Sequence, residues 1–258
     1  DSSGADLAQD LVNVSLQPMD DTEREKQLRA AARIADVDEL AGVDTALLQR
    51  ALDAAQGNPG LQAVLTRPIL KRETTVAKVA LADIEHFQTT GVPPERIRAL
   101  IAQGVAADEA NAMVVFFKRM AFDTYRAALT PNQADMLRAC CLFSTGLPIP
   151  RPAVEAAGRA AGVVEVADAL DRLLWLGLVD DWGDTVDAGI ANSVTHVAAN
   201  PLARPLIAAM QKDITATVAR TVLSELNRCW RDSNGSIVPG RQAVEIARLA
   251  LVAGCPCE

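Results

Sequence analysis

His196, in the segment "SVTHVAAN", is one of only two histidines in the chain and the side chain best suited to switchable chemistry. An imidazole can donate to an anion, and its charge changes near neutral pH. The same position also fits a half-buried strand histidine with no chemical role. His86, the other histidine, is far away in sequence. The five cysteines, Cys140, Cys141, Cys229, Cys255 and Cys257, form no Cys-x-x-Cys pair. A zinc site would need Cys255 and Cys257 plus distant partners, so no metal is expected. Adjacent Cys140 and Cys141 lie in an apolar helical run, the setting of small buried hydrophobes rather than nucleophiles. A third candidate is the break in "ALDAAQGNPGLQAVL". Pro59 there offers a rigid apolar face, and Gly57 lets the backbone approach closely. Local physics also explains this break without function: Gly57 past one helix end, Asn58 as the next N-cap and Pro59 at the first helical position make a helix-to-helix corner.

Catalysis has little else to stand on. No Gly-x-x-x-x-Gly-Lys-Ser/Thr, Gly-x-Ser-x-Gly or His-Glu-x-x-His occurs, and no carboxylates cluster in a readable motif. The chain is therefore not expected to be an enzyme by itself, and no catalytic residue is assigned. Its net charge is -8 with a pI near 4.9, the wrong sign for gripping a phosphate backbone. No apolar run approaches the roughly 18 residues that cross a bilayer, and "DSSGADLAQD" has no signal-peptide core. A cytoplasmic location without a membrane partner is expected. A first residue other than Met, and an end just after what reads as the first helix of a series, suggest a piece of something longer.

The elements that must position these residues are mostly helices. Half of the 258 residues are hydrophobic but only 3% are aromatic, and Ala and Leu dominate. "LVNVSLQ" at 11–17 alternates as a strand. A helix follows from about residue 21 with Thr22 and Glu25 at capping-box spacing, and others follow at 44–56, from Asn58–Pro59, from Thr74 or Thr75 to Gly91, from Pro93–Pro94 to Gly104, and at 108–128. Thr130 as N-cap and Pro131 open a helix to about Ser144. A Gly-Leu-Pro-Ile-Pro turn leads to helices at 151–161 and 163–175. "LGLVDDW" and "SVTHVA" then read as paired strands around a Gly/Asp-rich loop. Asn200 and Pro201 should open a further helix, kinked at Pro205, before "QKDITATVARTVLSELNRCWR" and a final helix in "RQAVEIARLALVAG".

The expected fold is mainly α: the end of a truncated NTPase core at 1–19, a multi-helix subdomain at 20–128, a winged-helix domain at 129–199, and C-terminal helices at 200–258 leading toward a helical-repeat sensor. In a winged helix the third helix would read DNA. Here "VVEVADALDRLLW" turns Val163, Val166, Leu170, Leu173 and Leu174 inward and leaves Glu165, Asp168, Asp171 and Arg172 outward. Residues 128–200 hold four basic against nine acidic side chains, so nucleic acid is not the expected partner.

Taken in order, "VSLQPMDDTE", "AAQGNPGLQAVL", "LTPNQADMLRACCLFSTGLPIP" with "ALDRLLWLGLVDD", and "SVTHVAANPLARPLI" resemble the C-terminal part of the nucleotide-binding module of STAND ATPases, the class that includes NB-ARC and apoptotic-ATPase switches. The resemblance covers most of residues 11–210. It implies a parent whose upstream P-loop core carries ADP or ATP, with none held by this piece alone. In that setting Gly57 and Pro59 would wall the adenine and His196 would sense the phosphates. The partners implied are that P-loop core of the same chain and, on activation, further copies of itself. The function implied is regulatory gating of nucleotide exchange and oligomerisation in signalling or defence. Thr195 before His196, and Val197 and Ala198 after it, depart from the family's apolar residue before and Asp after. Residues 72–128 are longer than a minimal helical subdomain requires.

Two other readings belong to different classes: a winged-helix transcriptional regulator, which would bind DNA through Arg172, and a helical protein-interaction scaffold, in which Pro59 and His196 would share no cleft.

Overall fold

The structure is a computed structural model that describes residues 18–34, 42–92, 109–184, 195–230 and 240–254. The strand expected at 11–17, the helix at 93–104, the Gly/Asp-rich loop and Cys255 and Cys257 lie outside those residues.

The described residues are mainly helical. Helix α1 (Asp21–Ile34) is opened by Asp20 rather than Thr22. The Asp20 carboxylate accepts the Glu23 amide at 2.8 Å, and the Glu23 carboxylate accepts the Asp20 amide at 3.1 Å. That reciprocal pair is a capping box two residues before the place the Thr–Glu spacing suggested. Helix α2 (Thr45–Ala55) is capped by Asp44, α3 (Pro59–Leu70) by Asn58, and α4 (Thr74–Thr90) ends on left-handed Gly91. Helix α5 (Glu109–Ala127) returns against α3 and α4. Its Phe116 and Phe117 meet Phe87 of α4 at ring-centroid distances of 4.8 and 5.8 Å. Tyr125 is fully buried and donates to the Val64 carbonyl at 3.1 Å, which fixes α5 to α3.

Thr130 and Gln133 form a complete capping box on α6 (Pro131–Cys140), which stops four residues short of the expected Ser144. The following turn contains a short strand that sequence reading missed, β1 (Ile149–Pro150). Helices α7 (Arg151–Ala160) and α8 (Val166–Trp175) come next, then strands β2 (Val179–Asp184) and β3 (Thr195–Ala199). The sheet is antiparallel with order β1-β3-β2, so β3 is central.

The helix expected at Asn200–Pro201 is absent. In its place is a turn followed by one 3-10 turn at Arg204–Leu206. Asn200 does cap the turn, accepting the Leu202 amide, but its amide nitrogen donates to Asp180 on β2. That tie holds the residue to the sheet edge, and Pro205 supplies no amide to continue a helix. Helix α9 (Lys212–Cys229) then packs on α7, and α10 (Arg241–Val252) packs on α9.

One hydrophobic core runs through all of this without interruption at residue 128, from Leu28 and Leu47 through Leu65, Ile69 and Phe122 to Leu137, Leu173, Val222 and Leu249. Each such large side chain contributes about 1.5–3 kcal/mol on burial. Among the described residues no helix is long and apolar enough to cross a membrane.

Candidate functional site

The corner between α2 and α3 is built by backbone conformation. Gln56 is left-handed at φ 49°, Gly57 follows at φ 77°, and Asn58 returns to extended geometry, its side chain accepting the Leu61 amide at 2.9 Å. Gly57 is required on two counts. Its positive φ disfavours any side chain, and a Cβ there would stand 2.9 Å from the Met19 carbonyl oxygen and from Pro18 Cβ. The chain entering α1 lies directly on the corner, with the Met19 amide donating to the Gly57 carbonyl at 2.9 Å. Pro59 is exposed, and its carbonyl accepts Gln27 Nε2 of α1 at 3.0 Å.

His196 stands on central strand β3 with its Cα opposite Pro150, and is only 9% exposed. Alternation along β3 puts Val197 and Ala199 on the core face with Ile149 and Val179, their pairing partners. His196 and Ala198 share the opposite face with Asp180, which pairs with Ala198. Gly57, Pro59 and His196 are not among the residues that line the cleft between the two halves, whereas their chain neighbours Gly60 and Asn200 are.

That cleft, of about 350 Å³, lies where α3, α5, the turn before β2 and the exit of β3 meet. Gly60, Arg67, Lys118, Asp180, Asn200 and Leu202 line it. Asp180 accepts from Asn200 Nδ2 at 3.1 Å. Burial pushes its carboxyl pKa up, although Arg67, Asn200 and Lys118 each pull it down. Burial also pushes the Lys118 ammonium below the ordinary lysine range, with Asp180 opposing. A Cβ on Gly60 would collide with Lys118 Nζ, so the glycine makes the space the amine occupies. Sequence reasoning missed this group because its members come from four separate elements.

Beside the cleft, the helical half and the sheet-bearing half are joined by ionic contacts. Arg172 of α8 pairs with Glu73, the residue that precedes α4, and is therefore not the outward side chain expected of it. An amphipathic pattern identifies the core face of one helix but cannot show that a second helix covers its polar flank. Arg67 donates to the Leu174 carbonyl at 3.4 Å, and Lys71 stands 5.6 Å above the Trp175 ring. Asp171 is held by Arg151 at 2.7 Å.

A second buried polar group ties α10 to the end of α6. Glu245 is 1% exposed; its carboxylate accepts from the Ser144 amide at 3.0 Å, from the Ser144 hydroxyl, and from Arg248 at 2.6 and 2.9 Å. Arg248 also donates to the Leu142 carbonyl at 2.7 Å.

Cys140 is buried and its thiol is pushed far up by burial; Cys141 is raised to about 11 by the same cause. Neither is poised as a thiolate. Among the described residues no group of three or more His, Cys, Asp or Glu side chains could hold a metal. Comparison with protein-family models, with curated proteins and with solved structures finds no match to this chain.

Proposed function

We propose that this chain is the regulatory part of a STAND-type ATPase, in which a helical subdomain and a winged helix gate nucleotide exchange and self-association of a parent whose P-loop core holds ADP or ATP. The observation that carries the reading is the cleft between the two halves. It is bounded on one side by the residues following the Gly57–Pro59 corner and on the other by those following the His196 strand. A nucleotide held by a neighbouring core would meet both halves there, and its presence would bias their relative position. Helix, helix, helix and antiparallel strand pair, over 131–199, is the order that a winged helix requires. Its third helix, α8, presents Ala167 and Asp168 to solvent together with Glu165 just before it, and Arg172 is occupied by Glu73. That is unsuited to a DNA groove, so we favour intramolecular packing over DNA reading.

The test uses the longer protein with its core. His196→Ala should release ADP and raise the oligomeric fraction; wild-type ADP retention and resting activity in that variant would remove His196 from the mechanism. The reading as a helical interaction scaffold is favoured by one observation, that none of Gly57, Pro59 and His196 lines the cleft between the two halves. Retained switching in both Pro59→Ala and His196→Ala would select it.

A further inference from the structure

We infer that the cleft at Gly60, Arg67 and Lys118 is a binding site for a small oxyanion of the phosphate class. The cleft holds an excess of donors. Lys118 is half-buried, yet among the described residues its ammonium makes no hydrogen bond and no ion pair. Arg67 uses one N–H, in a long 3.4 Å bond to the Leu174 carbonyl, and its guanidinium carries five. Asn200 donates to Asp180 and accepts from the Leu202 amide. Two cations against one carboxylate leave the cleft net positive in a chain of net charge -8. A positive cleft in an acidic protein is the reverse of what composition alone would place there.

A partly desolvated cation without a partner is costly, and the cost is removed by a ligand that brings acceptors. Among the described residues no carboxylate fills this role, since Asp180 acts on Lys118 without forming an ion pair. The volume of about 350 Å³ is at the small end of ligand pockets, which suits a compact polyanion rather than an extended chain. Gly60 completes the fit, because any side chain there would occupy the place of the Lys118 amine. This site is independent of any adenine contact at Pro59, and its test does not involve His196.

The two sources of such a group are free phosphate and the phosphoryl end of a nucleotide. Inorganic phosphate, pyrophosphate and ADP are titrated separately into this chain by calorimetry, at ~0.15 M sodium chloride so that exposed charges are screened. Wild type should bind at least one of the three, and Lys118→Met should weaken it about tenfold or more. Gly60→Ala should weaken it as well, by displacing the amine. ADP binding no tighter than pyrophosphate assigns the site to a free oxyanion; markedly tighter ADP assigns it to a nucleotide. The thermal midpoint of Lys118→Met should equal or exceed that of wild type, because an unpaired half-buried charge has been removed, and this shows that the variant is folded. No binding of any of the three by wild type, or unchanged binding by a folded Lys118→Met, overturns the site.

Discussion

Arg172 on α8 is paired with Glu73 at the start of α4, 99 positions away in the chain, and this contact joins the sheet-bearing half to the helical half. Both side chains are largely covered, at 15% and 29% exposed. Removing either one strands the other. Arg172→Ala and Glu73→Ala should each destabilise the fold, and a double-mutant cycle should return a coupling of about 1–2 kcal/mol, above the usual range for exposed pairs. Zero coupling in urea titrations would mean that the pair does not join the halves.

Gly57→Ala should cost about 1–3 kcal/mol, combining a left-handed backbone with a collision against Met19 and Pro18. The urea midpoint should fall at unchanged slope. A midpoint within error of wild type would show that the corner can relax away from the lead-in to α1.

Asn58 separates capping from function. Asn58→Ala should lose about 1 kcal/mol, whereas Asn58→Gly should lose roughly a few tenths, because glycine is tolerated at an N-cap. Equal losses would point to a role for the side chain beyond the Leu61 amide that it now accepts.

Glu245 predicts a pH dependence. Burial by itself would raise its carboxyl pKa, but hydrogen bonds from Arg248 and Ser144 outweigh burial and hold it below the ordinary value. A depressed carboxylate adds stability that is complete above its unfolded pKa and is lost as pH falls through the folded one. Glu245→Gln should therefore cost about 2–3 kcal/mol at neutral pH, with the difference from wild type shrinking below about pH 4. Chemical denaturation across that range checks the sign; a difference that widens on acidification would contradict it.

Short-range features were legible in the amino-acid sequence. Asn58, Thr130 and Gly91 sit at helix ends as read, because a cap needs only the next three or four amides. The inward set Val163, Val166, Leu170 and Leu173 on and before α8 is buried for the same reason of local period. Long-range features were not. Asn200 looked like the start of a helix, but its amide is committed to Asp180, twenty residues earlier. Glu245 lies on the final helix with nothing near it in sequence to mark it as buried, and Ser144, 101 positions away, draws it inside. Strand β1 is two residues long and exists only because Val197 and His196 lie across from it. The cleft has a related origin: Arg67 and Lys118 carry no local signal of a shared site and meet only when α3 and α5 are brought alongside β2 and the exit of β3.

The hydrogen bond from Met19 to Gly57 carries a mechanical consequence. Gly57 has no side chain to cushion the approach of the chain ahead of α1, so a displacement of that chain is passed to the corner through a single rigid backbone contact. The corner in turn begins α3, the helix that carries Gly60 and Arg67 into the cleft. A pull or a push on residues 18 and 19 thus has a short lever onto the cleft wall, with the α2–α3 corner as its fulcrum.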